Sequence, residues 1–298
     1  HIYIYIVNDN MKDRTNQVAV VTGGAGGIGI ASAEMWMKQN GKIVACDIDV
    51  EKGKAFEAKY PGKVVFQLCD TRKFDDLEKA VETAKKMGQF TCFFNNAGGG
   101  SPSDTLEDSY DNIEGLKNMV EININAYMQG TYIALRHFDP AVGGVVVNTC
   151  SMAGLLPIGA PPVYSMTKAA NIHFTRAVAS ALGEESNMRC YALCPSYTAT
   201  AMGPDPKMIK AAIGGVLQAK HQAEGFMLLV EGDQPNGSVM RVTARRGGTK
   251  VVQDLVTYGR EMGGNEKPRP GVVLKEATLE EYTGDMNTHL AAKDIAKL

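Results

Sequence analysis

Short apolar runs alternate with helix-like stretches along most of this chain, and this alternation limits the fold more than any other feature. Two of the runs, 17–22 (QVAVVT) and 42–47 (KIVACD), are rich in β-branched residues and almost continuously apolar. Runs of this kind are typical of strands buried on both faces, as the strands of parallel sheets are. Further strands are predicted at 64–70, 90–95, 144–149, 188–194 and 239–243.

Helical stretches lie between the predicted strands. The first three end at residues that stop helices: 28–39 before Asn40-Gly41, 50–60 before Pro61-Gly62, and 73–87 before Gly88. Two longer helical segments, about 111–137 and 163–184, flank the fifth strand. Because strand–helix–strand crossovers are right-handed and cover both faces of a sheet, the sequence predicts a Rossmann-type α/β fold. This is a doubly wound parallel sheet flanked by helices, in three layers (α/β/α) and a single domain.

The chain has 298 residues, more than one such domain needs, so extra segments are expected at both ends. We predict the α/β domain at 11–249, a non-native or leader segment at 1–10, and a polar extension at 250–298. The net charge of −2 offers no broad basic surface to nucleic acid or to a membrane. Six cysteines, mostly in apolar runs, favour a cytoplasmic protein, and no metal site is expected because no histidine stands at ligand spacing near them.

A glycine-rich stretch, 22–29 (TGGAGGIG), follows the first predicted strand and opens the first helix. Glycines permit a tight turn and the close approach of a phosphate, and a helix N-terminus presents free N–H groups. Two dinucleotide-binding templates fit, with glycines at 24, 26 and 29 or at 23, 27 and 29. The expected contacts to a dinucleotide are Gly23, Gly27, Ile28 and Gly29. The alternative is a tight turn that binds no ligand.

Asp47 ends the second predicted strand, at the distance from the glycines where a carboxylate binds the adenosine ribose. Such a carboxylate accepts hydrogen bonds from the 2′ and 3′ hydroxyls and repels a 2′-phosphate. No lysine or arginine lies in the glycine turn or directly after Ile48, so the sequence favours NAD over NADP. The alternative is that Asp47 only caps the following helix.

Further motifs follow in a fixed order at the ends of later strands. Asn95-Asn96-Ala97-Gly98 ends the fourth strand, Ser151 follows the fifth, and Tyr164-Ser165-Met166-Thr167-Lys168 begins a helix thirteen residues after Ser151. Each motif is weak alone. Together with the T-G-x-x-x-G-x-G turn, in this order, they resemble the short-chain dehydrogenase/reductase family over about residues 15–245.

The resemblance implies that Ser151, Tyr164, Lys168 and an asparagine form the catalytic set. Tyr164 and Lys168 are four residues apart, so they share one helix face. A neighbouring ammonium stabilises a phenolate, which lets a tyrosine take the proton of a secondary alcohol. Ser151 would hold the same substrate oxygen. For the asparagine, the family's spacing favours Asn123 over Asn125, with its carbonyl binding a water that links Lys168 to solvent.

The resemblance also implies further contacts to the cofactor. These are Ile48, Asp70, Thr71, Asn96, Ala97, Gly98, Tyr164, Lys168, Pro195, Thr198 and Thr200. Two positions depart from the family pattern. Ser196 stands where the family has a glycine, and Pro161 stands where one branch has a substrate-contacting glutamine, which leaves the substrate open.

We therefore expect an NAD-dependent oxidoreductase that interconverts a secondary alcohol and a ketone. An epimerase or dehydratase that retains its NAD, and a non-catalytic NAD-responsive binding protein, are the alternatives. Substrate specificity is expected in loops at 99–112 and 197–225. The family resemblance implies a homodimer or homotetramer formed through the two long helices, and no nucleic-acid or membrane partner is expected.

Overall fold

The computed structural model describes residues 12–99, 110–156, 162–183, 185–200, 216–231, 234–244, 250–256 and 273–278. The strands are β1 (Gln17–Thr22), β2 (Lys42–Asp47), β3 (Val64–Leu68), β4 (Gln89–Asn95), β5 (Gly144–Thr149), β6 (Met188–Pro195), β7 (Thr198–Ala199), β8 (Leu217–Gln218), β9 (Val239–Ala244), β10 (Lys250–Leu255) and β11 (Val273–Thr278). The α-helices are α1 (Gly27–Lys38), α2 (Val50–Lys59), α3 (Phe74–Met87), α4 (Ile113–Val120), α5 (Ala126–His137), α6 (Pro162–Leu182) and α7 (Ala219–Glu231).

One sheet contains most of the strands, in the order β3-β2-β1-β4-β5-β6-β9-β10-β11. The pairs from β3 through β9 are all parallel, whereas β10 pairs antiparallel with β9 and with β11. The predicted doubly wound parallel sheet is therefore confirmed, and all the strands expected from the sequence are present. A second, short sheet pairs β7 with β8.

Alternate residues of β1 pack against different helical layers. Ala19 and Val21 belong to a core cluster with Trp36 of α1 and Phe226 of α7. Val18 and Val20 belong to a second cluster with helices α3, α5 and α6. This burial on both faces explains the continuously apolar strand sequences. All six cysteines are buried and unpaired.

Several elements were not predicted from the sequence, among them one helix and two strands of the main sheet. Helix α7 lies partly in the stretch 197–225 that was expected to be a loop, and its buried His221 and Gln222 obscure its apolar periodicity. Strands β10 and β11 lie in the segment 250–298, for which only a polar extension was predicted. Among the described residues, no helix combines the length and apolar composition needed to cross a bilayer.

The helical segment predicted at 111–137 is interrupted by a π-helical turn. Helix α4 passes into the π turn Glu121–Asn125, which passes directly into α5. A π turn inserts one extra residue into a helix, and such insertions are frequent at functional sites. Asn123, which is fully buried, lies within this turn.

Buried amides connect the middle of the sheet to the helices on one face. Asn95 of β4 donates from Nδ2 to Oδ1 of Asn148 on β5, at 2.8 Å. Asn148 donates in turn to the hydroxyl of Thr175 on α6, at 2.9 Å. Because these groups are removed from water, each requires its protein partner.

Replacing Asn148 by alanine should lower the free energy of unfolding by about 2–4 kcal/mol, because it leaves the buried Asn95 amide and Thr175 hydroxyl without this partner. Chemical denaturation measures the change. Asn187→Ala is the control, since its exposed side-chain amide donates a hydrogen bond to the Pro140 carbonyl at the surface. This substitution should lower the free energy of unfolding by less than about 1 kcal/mol. Equal effects of the two substitutions would contradict this account of the network.

Candidate functional site

The strands β1, β2, β4, β5 and β6 run parallel, so their carboxyl ends meet at one edge of the sheet. Strand order reverses between β1 and β4, and open α/β sheets bind ligands in the crevice at such a switch point. The residues predicted to be functional follow the strand ends at this edge: the turn 22–29, Asp47, 96–98, Ser151 and Pro195. The candidate site is this edge.

The glycine turn depends on the missing side chains of particular residues. Gly23 has a φ of 63°, in the left-handed region that favours glycine. A Cβ on Gly29 would collide with the Gly23 carbonyl oxygen, and one on Gly27 would lie 3.0 Å from Cγ2 of Thr200. Gly26 has a φ of −95° and would meet only the Gly23 oxygen, at 3.3 Å. A Cβ on Gly24 would lie 2.7 Å from the Val21 carbonyl oxygen, so both templates contain tightly restricted glycines and Gly26 is the least restricted of the five.

Helix α1 begins at this turn with an N-terminus that no side chain caps. Its N-cap residue, Gly26, has no side chain to satisfy the first N–H groups, and no acidic residue lies in the first turn. Free N–H groups and the positive end of the helix dipole favour a phosphate here. The turn therefore fits the pyrophosphate of a dinucleotide.

Asp47 connects the second strand to the glycine turn. Its Oδ2 accepts a hydrogen bond from the Ala25 N–H, and its Oδ1 accepts one from the Asp49 N–H, both at 3.0 Å. The cap of helix α2 is Asp49, whose carboxylate accepts from the Lys52 N–H. The alternative that Asp47 caps this helix is therefore wrong. Ile48, the next residue, is largely exposed.

Asp70 lies in the turn after β3 and is paired with Arg72. The guanidinium donates to both carboxylate oxygens, at 2.8 and 2.7 Å, and reaches Asn118 of α4 at 2.7 Å. The hydrogen bonds from Arg72 lower the pKa of the Asp70 carboxyl. Thr71 is buried beside this pair. Arg72 was not singled out in the sequence.

The buried hydroxyl of Thr22 connects the ends of β1 and β4. It accepts hydrogen bonds from the N–H groups of Asn96 and Ala97, at 2.9 and 3.0 Å, and donates to the Phe94 carbonyl. The Asn96 amide donates to the Thr22 carbonyl at 3.1 Å. These bonds hold the segment 96–98 against the glycine turn.

Tyr164 and Lys168 lie one turn apart near the start of α6. Lys168 is buried, and its Nζ donates to the Thr149 carbonyl at 3.0 Å and lies 5.6 Å from the ring centroid of Tyr164. Burial lowers the pKa of Lys168, but the facing phenols of Tyr127 and Tyr164 raise it by more, so its pKa lies above the ordinary value. The site therefore holds a buried positive charge beside Tyr164.

Ser151 follows β5 and begins a short 3₁₀ turn, Met152–Gly154. Its Oγ accepts from the Ala153 N–H at 3.1 Å. Gly154 packs so closely on α6 that a Cβ would lie 2.6 Å from the Lys168 carbonyl carbon. The turn that carries Ser151 is therefore fixed directly against the helix that carries Tyr164 and Lys168.

Asn123 lies beside this group. Its Oδ1 accepts from the Gly99 N–H at 2.9 Å, and its Nδ2 donates to the Gly99 carbonyl at 3.0 Å. Its main-chain carbonyl accepts from Nδ2 of Asn171 at 2.5 Å. Sequence reasoning missed Asn171 and Tyr127, which lie around Asn123 and Lys168. The sequence signal for both residues is their helical spacing, which predicts that they lie on the inner faces of their helices.

The segment after β6 approaches the glycine turn through Thr200, which contacts the position of Gly27. Thr198 donates to the Ser196 carbonyl at 2.8 Å and accepts from Nε2 of the buried Gln222 at 2.9 Å. Pro195 ends β6. Pro161 and most of the expected specificity loops lie outside the described residues.

Comparison with known proteins identifies relatives over most of the chain. Residues 17–210 match the model of the short chain dehydrogenase family. The chain is 30% identical to 15-hydroxyprostaglandin dehydrogenase [NAD(+)] of Bos taurus, over 78% of this chain and 92% of that protein. It is 29% identical to momilactone A synthase of Oryza sativa subsp. japonica, over 86% and 97% of the two chains.

A solved structure shows the same fold. The 3-ketoacyl-(acyl-carrier-protein) reductase from Brucella melitensis, complexed with NADH, superposes with a TM-score of 0.71 at 24% identity. The match covers 77% of this chain and 97% of that one.

The glycine turn generates a stability prediction. Gly29→Ala should lower the free energy of unfolding by about 2 kcal/mol or more, because its Cβ would displace the Gly23 backbone. Gly26→Ala is the matched control in the same turn, with an expected loss below about 1 kcal/mol, since its backbone conformation suits any residue. Chemical denaturation of both variants tests this, and a Gly29→Ala protein as stable as the control would refute it.

Proposed function

The chain belongs to the short-chain dehydrogenase family, and on that premise we propose that it is an NAD-dependent oxidoreductase interconverting a secondary alcohol and a ketone. The observation that carries the proposal is the pairing of Tyr164 with the buried Lys168 ammonium at the carboxyl edge of the sheet. The relatives include a named dehydrogenase, and the general activity is that of the family. The residue roles and the choice of NAD are our proposal.

The residues that would hold NAD fit its chemistry. The N–H groups of Gly27, Ile28 and Gly29 at the α1 N-terminus suit the pyrophosphate, and Asp47 suits the adenosine ribose. The remaining proposed contacts are Gly23, Ile48, Asp70, Thr71, Asn96, Ala97, Gly98, Tyr164, Lys168, Pro195, Thr198 and Thr200. When bound, NAD supplies the acceptor for the hydride that leaves the carbinol carbon.

The protein's own chemistry is a proton transfer at Tyr164. In the oxidative direction the Tyr164 oxygen, as phenolate, takes the proton of the substrate hydroxyl. The Lys168 ammonium stabilises the phenolate by its charge, an effect that is strengthened because Lys168 is buried. In the reductive direction the same phenol returns the proton to the carbonyl oxygen.

Ser151 and Asn123 support this transfer. The Ser151 hydroxyl would donate to the substrate oxygen, so that the oxygen is held while the proton leaves it. Asn123 would fix the segment at Gly99 through its paired hydrogen bonds and so maintain the surroundings of Lys168. The packing of the Ser151 turn on α6 and the hydrogen bond from Asn123 to Thr167 support these roles.

The proposed substrate is a hydroxy compound with an apolar skeleton. Support comes from the relative named for a hydroxyprostaglandin. The turn after Ser151 carries Leu155 and the exposed Leu156 at the same edge of the sheet. We also propose that the protein acts in the cytoplasm, where its six unpaired cysteines stay reduced.

A homodimer or homotetramer is proposed through helices α5 and α6. Met128 and Tyr132 on α5 and Met166 on α6 are exposed apolar side chains. Tyr132 packs edge-on against Phe174 of α6, so the two helices present one surface. Apolar side chains that converge in this way suit an interface between identical copies.

Tyr164→Phe tests the proposed base. The substitution keeps the ring but removes the proton acceptor, so kcat should fall by about a thousandfold or more while the Kd for NAD changes by less than about threefold. NADH absorbance and titration calorimetry give the two values. Tyr60→Phe, at the distant end of α2, is the matched control and should retain turnover. Retained turnover in Tyr164→Phe would defeat the assignment.

Asp47→Ser tests the preference for NAD. Removing the carboxylate loses the ribose contact and the repulsion of a 2′-phosphate, so the ratio of kcat/KM for NADP over NAD should rise by about tenfold or more. Asp49→Ser is the control, because serine keeps the α2 cap while a nearby negative charge is removed. An unchanged ratio in Asp47→Ser would rule out its role.

A further inference from the structure

Tyr127, in the first turn of α5, is a buried tyrosine whose hydroxyl has no hydrogen-bond partner among the described residues. The side chain is 1% exposed. Leaving a buried hydroxyl unpaired is unfavourable, and a phenylalanine would fill the same volume without that cost. The hydroxyl is therefore a group that packing alone does not account for.

Three polar atoms converge on the space beside Gly98, and the Tyr127 hydroxyl is one of them. A Cβ on Gly98 would lie 3.4 Å from Oδ1 of Asn123, 3.5 Å from Nζ of Lys168 and 3.8 Å from the Tyr127 oxygen. The absence of a side chain at Gly98 keeps this space open to them. The Lys168 ammonium also lies 5.2 Å from the ring centroid of Tyr127.

The titratable groups that face Lys168 include no carboxylate in the described part of the chain. They are Tyr127 on α5, Tyr164 on α6, Cys150 after β5 and Cys194 on β6. Burial raises the pKa of Tyr127 to about 12, and the Lys168 charge opposes that rise. At neutral pH the Tyr127 hydroxyl is therefore protonated, with its oxygen lone pairs free to accept.

The other acceptors near the ammonium are already engaged. The two carbonyl oxygens of Asn123 accept from the Gly99 N–H and from the Asn171 amide. The Thr149 carbonyl accepts one of the three Lys168 N–H groups. Among the described residues the Tyr127 oxygen closes no hydrogen bond, yet the Lys168 ammonium lies near enough to oppose the rise in the pKa of its hydroxyl.

We propose that Tyr127 is a positioning residue for the base: its hydroxyl accepts a hydrogen bond from the Lys168 ammonium, directly or through one water beside Gly98, and so fixes the ammonium against Tyr164. Tyr127 acts through Lys168 and does not touch the substrate. The inference rests on the proposed function, because it concerns the lysine that tunes the proposed base.

The direction of the effect follows from the charge. Without the Tyr127 hydroxyl, the buried ammonium loses a dipole that favours its charged form and its orientation. The positive potential at Tyr164 then falls, and the phenolate forms at a higher pH. The acid limb of the pH profile of kcat/KM should therefore move upward in Tyr127→Phe.

The experiment compares Tyr127→Phe with Tyr191→Phe. Tyr191 is likewise buried, but it lies on β6 and its hydroxyl donates to the Gln234 carbonyl at 2.8 Å. Tyr127→Phe keeps the buried ring and removes only the proposed hydrogen bond to the ammonium, so Tm should fall slightly while the acid limb moves upward by about half to one pH unit. Tyr191→Phe should lower Tm and leave the limb in place.

A second readout does not need turnover. Phenolate absorbance is measured against pH in the wild type and in Tyr127→Phe. Each protein is also measured with the added substitution Tyr164→Phe, and the difference between the two curves of a pair is the titration of Tyr164. The midpoint should rise in the Tyr127→Phe background. An unchanged midpoint would overturn the positioning role, whatever the activity. Loss of the proposed function itself would appear instead as a wild-type protein without turnover, or as retained turnover in Tyr164→Phe.

Discussion

The ends of parallel strands carry backbone groups that the sheet itself no longer pairs, and in this protein buried or half-buried polar side chains satisfy them. Thr22 accepts from the N–H groups after β4, Asp47 accepts from the glycine turn, and Lys168 donates to the last carbonyl of β5. Because these bonds run between neighbouring strand ends, they join the separate loops of the site into one rigid edge. The chemistry proposed for the site depends on that rigidity.

Lys168 shows how stability and function oppose each other at this edge. A buried ammonium without a facing carboxylate in the described chain is costly for folding. Two phenols and a main-chain carbonyl offset part of that cost. Because no carboxylate of the described chain faces Lys168, its positive potential acts on Tyr164. An aspartate beside the lysine would cancel that potential. A destabilised group is thus retained where proton transfer benefits from it.

The sequence was sufficient for the parallel part of the sheet, and the site residues that it predicts lie together at one edge of that sheet. Burial on both faces leaves continuous apolar runs such as 17–22, and motif order located Ser151, Tyr164 and Lys168 at strand ends and one helix start. The sequence did not predict features that no pattern of residue types marks. The π turn around Asn123 is one extra backbone residue, helix α7 buries His221 and Gln222 where apolar residues are expected, and Tyr127 has the pattern of an ordinary core residue.

Isotope transfer tests the central claim, that this edge of the sheet carries out hydride transfer between a secondary alcohol and NAD. The protein is incubated with NAD and a panel of secondary alcohols, including hydroxysteroids and hydroxy lipids, each deuterated at the carbinol carbon, and the nucleotide is analysed by mass spectrometry. The expected product is a reduced nicotinamide that carries one deuterium from the alcohol. Nucleotide recovered oxidised and undeuterated while the alcohol is converted, as an epimerase or dehydratase would leave it, would contradict the account.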